Sequence, residues 1–151
     1  MKRPDADETE FLNVDLEVFS RETLAPFAGA LGRSWHILHV GHWGRRHAAC
    51  LELTASGYGQ GADAIILRMT RLLNKMPRSA KVLWNRAHAR QFNIGVEAAV
   101  RSRTFELHLR PDTLQAVARL GGKLVVTVYA PERRPAAEES QSNGRRRPTK
   151  G

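Results

Sequence analysis

The chain has six histidines in 151 residues, and four of them, His36, His39, His42 and His47, crowd into the thirteen-residue run WHILHVGHWGRRH. Imidazoles at that density could ligate zinc or handle protons, because the neutral ring is a metal ligand and titrates near neutrality. A metal box needs its nitrogens to converge. The β-branched neighbours and the glycines Gly41 and Gly44 make the run part of a β-hairpin, and period two then sends Trp35, Ile37 and His39 one way and His36, Leu38 and Val40 the other. His36 and His42 would share a face but stand about 20 Å apart at ~3.3 Å per residue. The expectation is a hairpin with scattered imidazoles, no metal and no cofactor, with metal binding reserved for the case in which His42 and His47 meet across the turn. At the hairpin tip, His42 and Trp43 are the candidate contacts to a partner.

A second chemistry comes from carboxylates, and strand patterns decide where they lie. FLNVDLEVF places Leu12, Val14, Leu16 and Val18 on one side and Asn13, Asp15 and Glu17 on the other, a half-buried strand. If Val14, Leu16, Leu51, Leu53, Ile94, Val96, Phe105, Leu107, Val126 and Val128 face the core, the opposite face gathers Asp15, Glu17, Glu52, Asn93, Glu97, Glu106 and His108, with Cys50, Thr127 and Tyr129 among them. Such a polar face is a candidate small-molecule or partner site, with carboxylates near His108 able to act as general acid and base. Ordinary cross-strand pairing on the wet face of a sheet accounts for the same residues without any activity.

The remaining segments supply the scaffold. Ser20 and Glu22 open a helix toward Gly32 that Pro26 confines or bends. SWHILHV and HAACLELTA form the hairpin. From Ala62, the residues Ile65, Ile66, Met69, Leu72, Leu73 and Met76 recur at helical spacing, Pro77 stops that helix, and SAKVLWNRAHAR resumes with Leu83, Trp84 and Ala87 inward. QFNIGVEAA and TFELHL read as strands around a turn from Val100 to Arg103. RPDTLQAVARLGG is a helix with Pro111 at its first position, Asp112 in its first turn and Gly121 or Gly122 as its C-terminal cap. KLVVTVYA is the closing strand. The order β-α-β-β-α-α-β-β-α-β predicts an α+β fold, a mostly antiparallel sheet with helices packed on one face, ferredoxin-like in kind.

Charge divides along the chain. Sixteen basic residues face eight acidic ones between residues 11 and 130, against two and four before that span and six and three after it. Residues 1–10 and 131–151 have too few apolar side chains to offset ordering entropy, so both are expected to be disordered, leaving a single domain over 11–130. Arg68, Arg71 and Lys75 on the second helix, with Arg145, Arg146 and Arg147 in the tail, are the candidate contacts to a polyanion, and nonspecific nucleic-acid binding through them follows from counterion release. Binding through the sheet face is disfavoured by its acids. One cysteine, Cys50, excludes an internal disulfide, and no stretch approaches the ~18 apolar residues of a membrane span, so a cytoplasmic location with no membrane partner is expected.

Two further motifs are weaker. Gly57, Gly59 and Ala62 fit G-x-G-x-x-[GA], but the acid wanted about 20 residues on is missing, Asp63 would repel phosphate, and no parallel βαβ array supports it. Cys50 near His47 or His108 would suit a nucleophile, although a lone strand cysteine is ordinarily a small semi-buried hydrophobe.

LWNRAHARQFNIGVEAA and TFELHLRPDTLQAVARLGGKLVVTVYA resemble a bacterial domain-of-unknown-function family of small α+β proteins, some of them like immunity or accessory proteins, and the likeness extends to DLEVFSRETL. The resemblance implies core, turn or packing roles for Trp84, Phe92, Ile94, Gly95, Gly121 and Tyr129, and no catalytic residue. The leading expectation is a noncatalytic binding or protein-interaction module with another protein as partner. The alternatives are a small-molecule-binding protein or enzyme using the acidic sheet face, and a nonspecific nucleic-acid binder.

Overall fold

The computed structural model describes residues 8–54, 60–100 and 104–131. Alternating apolar residues build β1 (Glu10–Ser20), which lies at the centre of a five-stranded sheet with β2 (Trp35–Trp43), β3 (Arg46–Leu53), β4 (Ala89–Glu97) and β5 (Lys123–Tyr129) in the order β2-β3-β1-β4-β5. The β2/β3, β3/β1 and β1/β4 ladders are antiparallel and β4/β5 is parallel. Because β3 sits between β1 and β2, the connection through α1 (Ala25–Ala30) crosses over it. The β4–β5 connection through α4 (Pro111–Arg119) is a second crossover, as parallel neighbours require.

Helices α2 (Ala62–Asn74) and α3 (Arg78–Arg86) join α1 and α4 over one sheet face, where Phe27, Ile66, Trp84 and Val117 from the four helices share a single core with Val14, Leu16, Leu51, Phe92 and Ile94. Burial of these side chains is the main favourable term, each worth roughly 1.5–3 kcal/mol. Glycines act where backbone demands them. Gly44, at φ 63°, takes the position a two-residue hairpin turn reserves for glycine. Gly121, at φ 67°, ends α4 in a Schellman arrangement, its N–H donating to Ala118 O at 2.9 Å and that of Gly122 to Val117 O at 3.0 Å.

Four expectations from the sequence change. Residues 104–110, expected to include a strand, carry no ladder: Leu107 and Leu109 still turn toward the core, but β4 is flanked on both edges by β1 and β5 and offers no slot. Alternation reports which way side chains point, not whether the backbone is paired. The first helix begins only at Ala25, since β1 runs on to Ser20, whose Oγ accepts the Glu22 N–H at 3.1 Å. Leu12 sits at a bulge between Phe11 and Asn13 and is exposed rather than core. Phe105, Val126 and Val128, all assigned to the core, are 39%, 57% and 62% exposed: Phe105 lies in the unpaired 104–110 segment, and Val126 and Val128 on the edge strand β5. Among the described residues, no helix is long and apolar enough to cross a membrane.

Candidate functional site

The uncovered sheet face collects several of the polar residues expected there. Glu17 accepts from Asn93 Nδ2 at 3.0 Å and from Gln91 Nε2, while Thr127 Oγ1 donates to Asn93 Oδ1 at 2.8 Å and Asn13 Nδ2 to Asp15 Oδ1 at 2.9 Å. Partial burial, with Glu52 and Glu17 nearby, pushes the Asp15 carboxyl up to about 6. Burial and the same three acids push the Cys50 thiol up to about 12, so its thiolate is scarce at neutral pH and the thiol is a poor nucleophile. Glu17 is spoken for by two amides. What remains is a hydrogen-bonded polar ladder across β1, β4 and β5, in which no base and orienter flank a nucleophile.

The other expected members stand apart from this cluster: Glu97 keeps the face of Asn93 by strand parity but at a distance, and Glu106 and His108 leave the sheet. Glu97 pairs in register with Glu10 and Tyr129 at the far end of β4, four residues and thus about 13 Å along the strand from Asn93. Glu106 and His108 are not on the sheet at all; they pair with each other at 3.2 Å in the exposed segment before α4, with side chains 72% and 85% exposed. Their displacement follows from the missing 104–109 strand.

The histidine run is a hairpin, but a bulge between Ile37 and His39 changes its parity: His36 pairs with Glu52 and His39 with Cys50, so both belong to the polar face, whereas Ile37 and Val40 pair with Leu51 and Ala49. One extra residue in the strand flips every side chain beyond it. His42 and His47 do meet, with ring centroids 4.3 Å apart. Among the described residues, no group of three or more His, Cys, Asp or Glu side chains could hold a metal ion. Trp43 stands 63% exposed, meeting Phe19 and His39 at near right angles with centroids 6.4 and 6.0 Å away.

Beside this tip is a feature that strand parity did not reveal. An open groove of about 780 Å³ is lined by Ser20, Arg21, Glu22, Arg45, Arg46, Arg86 and His88. Four separate stretches of chain deliver them: the end of β1, the β2–β3 turn, the last residue of α3 and the approach to β4, which the His88 N–H ties to Phe19 O at 3.0 Å. All four arginines are exposed. Glu22 accepts from Arg86 Nη1 at 3.4 Å, and among the described residues Arg21, Arg45 and Arg46 have no ion-pair partner. The signal available in the sequence was the GRRH turn; the arrival of Arg21, Arg86 and His88 needs the tertiary structure.

The helix cations expected to meet a polyanion, Arg68, Arg71 and Lys75, lie on α2 and none lines the groove. Arg145, Arg146 and Arg147 lie outside the described residues, as do Gly57 and Gly59 of the glycine motif, residues 1–7 and the tail from 132. At the start of α2, Asp63 is occupied by Arg110, whose backbone N–H and Nε donate to it at 2.8 and 3.0 Å. No family model, curated protein or solved structure matches this chain.

Proposed function

We propose that this chain is a noncatalytic binding module whose working surface is the arginine groove and whose partner is anionic there. Convergence carries the reading: Arg21, Arg45, Arg46 and Arg86 surround one depression with Glu22 as the single carboxylate in its lining. Like charges gathered in this way repel one another, and an incoming anion relieves that repulsion. Guanidinium forks suit the paired oxygens of phosphate or carboxylate, and their charge does not depend on pH in the physiological range. The suppressed Cys50 thiol and the fully engaged Glu17 support a binding role over catalysis on the sheet face. An accessory or immunity role, implied by the family resemblance, and a reducing compartment such as the cytoplasm are compatible with this surface.

Calorimetric titration of the full chain with inorganic polyphosphate at about 50 mM salt tests the reading. Charge reversal by Arg45→Glu with Arg46→Glu is expected to weaken binding by about tenfold or more, while Arg71→Glu with Lys75→Glu on α2 changes it by no more than roughly twofold. Undetectable binding, or equal losses in both variants, would remove the groove as the working surface.

A further inference from the structure

We infer that the groove takes single-stranded nucleic acid, its phosphates held by Arg21, Arg45, Arg46 and Arg86 and one base stacked on the Trp43 indole. The inference rests on the reading of the groove as an anion site and adds to it the chemical class of the ligand. Trp43 and Arg46 are cross-strand partners at the tip of the β2–β3 hairpin, so the exposed indole stands next to a groove-lining guanidinium. An acidic protein segment such as poly-glutamate would engage the arginines but brings no flat ring to the indole beside them. A nucleotide strand uses both, because its phosphates recur alongside flat bases.

Geometry also favours a single strand over a duplex. Phe19 and His39 meet Trp43 at 78° and 89°, so neither ring lies parallel on the indole. Stacking there requires an unpaired base that can turn outward, which a loop or single strand supplies and a duplex withholds. Further up the same sheet face stand Asp15, Glu17 and Glu52, carboxylates that repel a polyanion and confine its path to the hairpin end. The size of the groove, about 780 Å³, lies within the range of sites that enclose small ligands.

The test uses the full chain, a fluorescein-labelled 12-nucleotide oligo(dT), inorganic polyphosphate and a poly-glutamate peptide, each followed by anisotropy or competition at about 50 mM salt. The oligonucleotide is expected to bind more tightly than polyphosphate. Trp43→Ala should weaken oligonucleotide binding about tenfold and leave polyphosphate binding unchanged, with Trp43→Phe restoring most of the loss. Arg45→Glu with Arg46→Glu should weaken both. Circular dichroism of these surface variants checks that each is folded. If polyphosphate binds as expected but Trp43→Ala leaves the oligonucleotide unaffected, the stacking inference is overturned while the anion site stands. If neither ligand responds to the arginine reversal, the anion site itself is overturned. Tighter binding of poly-glutamate than of oligo(dT) would assign the groove to an acidic protein segment and overturn the inference.

Discussion

The Arg90 guanidinium stands 5.7 Å from the centroid of the Trp84 ring and its Nε donates to the Trp84 carbonyl at 2.7 Å. Its Nη2 reaches Asn85 O at 3.0 Å and Ala87 O at 2.9 Å, and its Nη1 reaches Gly121 O at 3.4 Å, while Trp84 Nε1 donates to Leu120 O at 3.0 Å. These two side chains close the carbonyl end of α3 and bind it to the α4–β5 turn. A cation at a helix C-terminus is also favoured by the helix dipole.

Replacing Arg90 by Lys keeps the charge but cannot serve four carbonyls with one ammonium. Arg90→Lys is expected to lower unfolding free energy by about 2 kcal/mol, the scale of hydrogen bonds to a charged group. Urea denaturation measures it, and an unchanged midpoint would contradict the bracing role.

Asp15 makes stability fall as pH rises. Its carboxyl titrates at about 6 in the folded chain, against a reference of 3.8. Between those values the native state holds more protons than the unfolded one, so the contribution is fully present below about pH 4 and is lost as pH passes 6. Asp15→Asn should flatten that fall and exceed the parent in stability above about pH 7, by roughly 1 kcal/mol once screening of the half-exposed carboxyl is allowed for. Thermal or urea midpoints at pH 4.5 and 7.5 compare the two; a constant difference between them would rule out the titration.

The Cys50 thiol should be slow to alkylate. Raised to about 12 by burial and by Asp15, Glu17 and Glu52, it offers little thiolate at pH 8. Iodoacetamide is expected to modify the native chain at least about a hundredfold more slowly than the urea-unfolded chain. Equal rates would show that neither burial nor the acids protect it.

Gly122 and Gly29 should respond oppositely to alanine. A Cβ on Gly122 would stand 2.7 Å from Cε2 of the buried Phe92 and 3.2 Å from Val117 Cγ1, whereas one on Gly29, within α1, meets nothing within 4 Å. Gly122→Ala is expected to cost about 1–3 kcal/mol by overpacking. Gly29→Ala should gain about 0.5–1 kcal/mol from helix propensity. Denaturation midpoints moving the same way would refute the contrast.

Local order was written in the sequence where one short pattern suffices. Alternation fixed the faces of Asp15, Glu17, Glu52 and Asn93, and Pro111 with Gly121 bounded α4, because side-chain period and φ preference act within a few residues. Three features were decided only by tertiary structure. Residues 104–110 kept the alternation of a strand but found β4 already paired on both sides, by β1 and β5, and Glu106 and His108 went with them away from the polar face. A bulge after Ile37, where β2 carries one residue more than β3, reversed the sides of the histidines beyond it, which only the pairing of the two strands shows. The arginine groove joins positions 21, 45, 46, 86 and 88, which have no spacing in common. They meet because β1 lies between β3 and β4 in the sheet, so its end, the hairpin turn and the α3–β4 junction close on one another; periodicity cannot express that coincidence of chain ends.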